Sequence, residues 1–206
     1  MVSGVGTSTA ALCIGGYVGP PGNVQNVEQW NGTNWTEVND VNTNVKQSSM
    51  AAGTTSAAIV AGGFNYGIPG PDDKTESWNG TNWTEVNDLN TARYYIAGNG
   101  TATAAIGAGG EVSGEVANTE EWNGTNWTNK NNMNQARNAQ AAFGTYQDLI
   151  SAGGSAPPGK QANAEEWNGV SWAEQNNLNT ARATASAPGS IVTGKQCKLR
   201  MANIRS

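Results

Sequence analysis

The residue types in this chain best suited to chemistry recur as a set. Glu28, Glu76, Glu120 and Glu165 each stand two positions before a Trp, and Arg93, Arg137 and Arg182 each follow the second Trp of their segment by ten positions. A carboxylate beside a guanidinium could move a proton on a sugar, as an isomerase does, and a ring of carboxylates could hold a cation. Either use needs one constellation, not four copies of it. The expectation is therefore structural: each Glu pairs with the Arg that opens a neighbouring strand, or accepts backbone amides. What the chain lacks narrows its chemistry further. Its 206 residues include no His, which removes the usual general base, the commonest transition-metal ligand and the centre of a Ser-His-Asp or Cys-His relay. Cys13 and Cys197 are the two cysteines, too few for a disulfide framework or a thiolate zinc site. The reading is a protein that is not an enzyme, with no cofactor, no catalytic residue and no metal site.

Composition excludes further classes. The formal net charge is −5 and only 13% of residues are charged, with 27 Gly and 27 Asn making up the polar balance. An acidic chain is a poor nucleic-acid binder, so none is expected as a partner. No run of 18 apolar residues occurs, so no membrane span is expected. The opening MVSGVGTSTAALCIGG lacks the basic start and unbroken apolar core of a secretion signal. Eight Trp set the chain apart from disordered acidic segments.

The elements that must position the Glu–Trp–Arg set are themselves repeated. EQWNGTNWTEVND from Glu28, ESWNGTNWTEVND from Glu76, EEWNGTNWTNKNN from Glu120 and EEWNGVSWAEQNN from Glu165 align without gaps. Their first Trp residues, Trp30, Trp78, Trp122 and Trp167, recur after 48, 44 and 45 positions. Gly pairs precede them at Gly15-Gly16, Gly62-Gly63, Gly109-Gly110 and Gly153-Gly154. A period of this length with a Gly pair and a Trp is the pattern of propeller blades. No segment has an apolar 3.6 period, so each unit reads as four strands, a to d. In the third unit these are RYYIAGNGT, ATAAIGAGG, ANTEEWNG and TNWTNK. Asn-Gly between c and d predicts a two-residue type I′ hairpin. That register sets Trp30 opposite Thr33 and Glu28 opposite Trp35, with all four on one face. The eight Trp, which also include Trp35, Trp83, Trp127 and Trp172, are expected to fill the space between blades.

These residues resemble the kelch repeat: a Gly pair closing strand b, Glu-x-aromatic in strand c, Trp in strand d and Arg opening the next strand a. Here the aromatic is Trp where kelch units usually have Tyr, and Val45 stands where the first linker should carry Arg. The wording WNGTNWTEVNDLNTAR is more specifically similar to Asn/Gly/Thr-rich kelch-like arrays of marine phages and bacteria. The resemblance implies an all-β, kelch-type β-propeller with four blades of four antiparallel strands; it assigns no function.

The repeat region spans residues 1–192, with blades at about 1–40, 41–88, 89–132 and 133–177 and an extra strand at 182–190. Residues 193–206 form a basic, non-repeat tail, which reads as a shifted frame, a truncation or a native extension. Two assemblies are open. Four blades could close in a monomer, with the extra strand docked beside the first blade, or two chains could form a homodimeric ring. Small residues in strands a and b against Trp in the outer hairpins favour the first.

Recognition is expected where the units differ, in the b–c loops. Tyr17, Phe64 and Tyr66 are candidate stacking residues there, and Asp72, Asp73 and Lys74 form a dense charge cluster. The leading expectation is a binding or structural module for a glycan or protein, on a phage particle or cell surface. A sugar isomerase with a central Glu and Arg, and a ligand-free scaffold or fragment, are the alternatives.

Overall fold

Short runs of Ala, Ile, Val and Thr, bounded by Gly and Asn, build this molecule from strands alone. The computed structural model describes residues 2–17, 23–43, 48–65, 67 and 69–183, and no helix occurs among them. Sheet one contains β1 (Ser3–Gly6), β2 (Ala11–Tyr17), β3 (Asn23–Trp30) and β4 (Trp35–Val38). Sheet two contains β5 (Met50–Gly53), β6 (Ala58–Asn65), β7 (Gly70–Trp78) and β8 (Trp83–Val86). Sheet three contains β9 (Ala97–Gly100), β10 (Ala105–Ala108), β11 (Thr119–Trp122) and β12 (Trp127–Lys130). In sheet four, β13 (Ala141–Thr145) and β14 (Asp148–Ala152) are followed by a small hairpin, β15 (Ser155–Ala156) and β16 (Gly159–Lys160). It then ends with β17 (Ala164–Trp167) and β18 (Trp172–Gln175). Each four-stranded sheet is an antiparallel meander in chain order. Of the extra strand expected at 182–190, only Arg182 and Ala183 fall within the described residues, and the tail lies outside them.

The hairpin between strands c and d differs from the sequence expectation. Trp30 lies opposite Trp35, Gln29 opposite Thr36 and Glu28 opposite Glu37, so the loop has four residues, not two. The Asn31 side chain is the reason. Its Oδ1 accepts the amides of Thr33 and Asn34, both at 2.9 Å, while the Asn31 amide donates to the Asn34 carbonyl at 3.2 Å. Only Gly32 takes a positive φ, +93°, whereas a type I′ turn needs two such residues. The consequence is direct Trp–Trp pairing, with ring centroids 5.5, 5.2, 5.5 and 5.6 Å apart in the four sheets.

The b–c segments of sheets one and two are also more regular than loops. Past the Gly pair the ladder shifts register and resumes, so Tyr17 faces Asn23 and Phe64 faces Pro71. Gly62, Gly109 and Gly153, each the first of its pair, sit against the following linker. At Gly109, with φ +65°, an added Cβ would lie 2.5 Å from the Arg137 carbonyl oxygen.

The sheets pack side by side in chain order through their first strands, β1 on β5, β5 on β9 and β9 on β13. No comparable packing of β13 on β1 exists among the described residues. Each interface has the same plan. The Trp pair of one sheet lies on strands a and b of the sheet before it, together with one apolar linker residue, Val41, Leu89 or Met133. Trp127 donates to Thr75 Oγ1 and Trp172 to Thr119 Oγ1, each at 3.0 Å and across an interface. Sheet one has Val27 at the matching position, and the Trp83 indole N–H is buried without an acceptor.

A second contact crosses each interface. The linker leaving one sheet wraps the Glu of the next. Asn90 gives Glu120 its backbone and side-chain N–H at 2.7 and 2.8 Å, and Arg93 adds an ion pair at 2.7 Å. Asn134 and Arg137 hold Glu165 at 2.7 and 2.8 Å. In linker one, where Val45 replaces Arg, Glu76 is held by Asn42 and by the amide and hydroxyl of Thr43. Glu76, Glu120, Glu165, Arg93 and Arg137 have 0% exposure. Burial pulls both guanidinium groups below their ordinary pKa, against the opposing pull of Glu120 on Arg93 and of Glu165 on Arg137; both remain cationic.

Two outcomes test this plan. Arg93→Met leaves Glu120 buried without its ion partner and lowers urea-measured stability by about 3–5 kcal/mol, while adding Glu120→Met recovers part of that loss. Thr119→Val strands the Trp172 indole N–H and lowers stability by about 1–3 kcal/mol. Val27→Thr, which offers Trp83 an acceptor, lowers it by much less or raises it.

Candidate functional site

The b–c and d–a connections meet at one end of the sheets, because both follow a strand running the same way. Three backbone hydrogen bonds strap the linkers leaving sheets two, three and four to their own sheets there. In sheet two the Leu89 amide donates to Asp73 at 3.0 Å, the Arg93 amide to Asp72 at 3.1 Å and the Gly63 amide to the Arg93 carbonyl at 3.0 Å. The strap then turns sharply into the next first strand. Ser48, Tyr95 and Ala139, two residues before β5, β9 and β13, all adopt positive φ, 59°, 55° and 52°. The Tyr95 amide donates to the Ser48 carbonyl at 2.7 Å, and the Ala139 amide to the Tyr95 carbonyl at 3.2 Å. This line of bonds fixes the rim on which side chains of differing type are displayed.

Phe64 belongs to this end, and the structure gives it partners that the sequence reading placed inside a strand. Its ring meets Tyr94 edge-on at 5.0 Å, and Tyr94 lies 4.8 Å from Tyr95. All three rings are half-buried. Beside them Tyr94 and Glu111 exchange backbone hydrogen bonds of 3.1 and 2.8 Å. The Glu111 carboxylate accepts from Asn138 Nδ2 at 2.6 Å. The arrangement therefore offers aromatic faces, a carboxylate and an amide within one rim. Such a set can stack on the apolar face of a sugar ring and bond its hydroxyls.

The other candidates are placed differently. Tyr17 is exposed on the end of β2 in sheet one. Tyr66 lies outside the described residues. Asp72, Asp73 and Lys74 are strand residues of β7, half-buried, rather than a solvated loop cluster. Lys74 Nζ reaches Asp88 at 2.7 Å and Glu85 at 3.2 Å, and its amide donates to Asp72 Oδ1 at 2.7 Å. Hydrogen bonds to Asp88 and then Glu85 raise the Lys74 pKa. Burial, followed by repulsion from Asp88 and Asp72, pushes the Asp73 carboxyl up. Burial and then Glu28 likewise raise the Cys13 thiol, away from the reactive thiolate. Among the described residues no three Cys, Asp or Glu side chains gather where a metal ion could bind. No described helix is long and apolar enough to cross a membrane.

Tyr94 and Tyr95 escaped the sequence reading because they follow Arg93 directly and were assigned to strand a. The available signal was their contrast with Asn138 and Ala139 at the same places in the next unit.

The Asp73 environment gives a pH test. A carboxyl whose folded-state pKa is raised binds its proton more tightly folded than unfolded, so it lowers stability as pH rises through its titration. Asp73→Asn removes that penalty. The variant should be more stable than the parent at pH 7, and the gap should close as pH falls below about 3.9, the ordinary Asp value; equal melting curves at pH 7 would contradict the assignment.

Compared with protein-family models and with curated proteins, the chain matches none.

Proposed function

We propose that the four sheets are the blades of a kelch-type β-propeller, and that the chain is a non-enzymatic binding or structural module recognising a glycan, or a protein, at its b–c end. The observation that carries this reading is the half-buried cluster of Phe64, Tyr94 and Tyr95 next to the Glu111–Asn138 pair. Aromatic rings already held by packing lose little freedom when a ligand arrives, which favours affinity. The blade reading is supported by the Gly pairs, the paired Trp and first strands that lie side by side in chain order. The non-enzymatic reading is supported by the fate of the repeated carboxylates. Glu76, Glu120 and Glu165 are wholly buried and engaged by linker donors, so an isomerase would have to find its acid and base elsewhere. An Asn/Thr/Gly-rich frame of low charge suits an exposed position on a phage particle or a cell surface.

A panel of neutral and acidic oligosaccharides titrated against the whole chain tests the reading. At least one should bind, and Phe64→Ala or Tyr94→Ala should weaken it roughly tenfold or more, as loss of an aromatic anchor does. Tyr95→Ala should keep the fold, since Ala139 adopts the same backbone geometry. A parent chain that binds no glycan and no cell surface would leave the ligand-free scaffold as the better account.

A further inference from the structure

Sheets two to four each have their Glu and Trp pair covered by the preceding linker; among the described residues sheet one has no such cover. Glu28 is exposed, and no ion pair reaches it among the described residues. Trp35 is 51% exposed, whereas its counterparts Trp83, Trp127 and Trp172 are 6%, 5% and 7% exposed. The face is nonetheless built: Trp30 and Trp35 pack against each other with their rings tilted by 41°, and the Trp30 indole donates to the Ser8 carbonyl at 3.0 Å.

The complementary surface stands at the far side of sheet four. Residues 176–182, NNLNTAR, repeat the linker residues 87–93, NDLNTAR, almost letter for letter. They are strapped down in the same way. The Leu178 amide donates to Ala162 at 2.8 Å, the Arg182 amide to Gln161 at 3.0 Å and the Gly154 amide to the Arg182 carbonyl at 2.8 Å. The backbone is thus set for docking, yet Asn176, Asn179, Thr180 and Arg182 are all exposed. The apolar cluster beneath them contains Ile150, Ala152 and Ala164 with half-buried Phe143 and Leu178, and it has no Trp pair. The three other clusters each have one.

We propose that a second copy of this chain supplies the missing half: its 176–182 linker docks on the open face of sheet one, with Asn179 and Arg182 on Glu28. The match is one of charge, since Arg182 meets Glu28 as Arg93 meets Glu120. It is also one of register. Asn87 bonds the Thr125 carbonyl and Asn126 of the next outer turn at 3.0 and 2.7 Å, and Asn176 stands ready to do the same with Thr33 and Asn34. The contact joins unlike surfaces, so it is head-to-tail, and two copies that each present both surfaces close a ring when the rotation allows. This inference is independent of the glycan reading.

Light scattering of the whole chain across about 1–100 µM tests it. The expected mass is twice 21.4 kDa or a higher multiple; 21.4 kDa at every concentration would overturn it. Trp35 supplies a second readout, because its emission should shift to the blue on association, and Trp35→Phe should remove most of that shift. Charge exchange identifies the surfaces. Glu28→Arg and Arg182→Glu, each alone, should give folded monomers by near-ultraviolet circular dichroism. Mixed in equal amounts they should regain the parental mass, because the Arg at position 28 meets the Glu at position 182 while the second junction keeps its native pair. Variants that retain the parental mass on their own would show that another surface makes the contact.

Discussion

A carboxylate buried in each of sheets two, three and four, and held by the linker of the sheet before it, sets the order of this molecule. Removing such a group from water carries a penalty of several kcal/mol unless its lone pairs are met. Glu120 meets that condition with two N–H groups from Asn90 and one from Arg93. Among the described residues Glu76 meets it without a cation, through the amides and side chains of Asn42 and Thr43. The pair of solutions shows that the arginine is not the common element. The Asn amide is, since it donates to Glu76, Glu120 and Glu165 alike, and the ion pair is one way to complete the set. Arg93 and Arg137 themselves keep a buried Nε without a partner, so the ion pairs are imperfect as sources of stability. They serve better as registers, because a linker displaced by one residue would leave a charge buried alone.

The clamp also makes each interface directional. One side presents Glu and two Trp; the other presents a strapped linker and small residues from strands a and b. Like surfaces do not match, so sheets add in one sense only. A chain built this way has a Glu–Trp face at one side and a linker face at the other. Sheet one and the 176–182 linker are those two faces, and their exposure follows from the same repeat that buries every interior copy.

Much of this was legible in the sequence because the repeat imposes its own checks. The Gly pair and the Trp spacing delimit four strands per unit, and the structure contains four such sheets. Two features were misread, each for a local reason. Asn-Gly reads as a two-residue turn by backbone preference alone, but the Asn31 side chain caps two amides and stabilises a longer loop. The b–c segments read as loops because Pro and Gly cluster there, yet the chain resumes its ladder past the Gly pair, with Phe64 opposite Pro71. The site was legible only in part. Phe64 was visible as an aromatic in a variable segment, whereas Tyr94 and Tyr95 were hidden by strand assignment. The meeting of Tyr94 with Phe64 depends on a contact between the b–c segment and the following linker, which no single-unit alignment contains.

On the proposed reading, that contact is why recognition and stability can be separated in this fold. The rim residues Ser48, Tyr95 and Ala139 share one backbone conformation and one chain of hydrogen bonds, so the side chain at each place can change without moving the frame. Tyr at one place and Ala at the next give the b–c end a chemical asymmetry, whereas every clamp keeps the same linker Asn amide on the same Glu. On that reading a ligand meets the differences between units, while the fold rests on what they share. Phe64 and the two Tyr therefore stand where a repeat protein can acquire specificity with the least disturbance to its core.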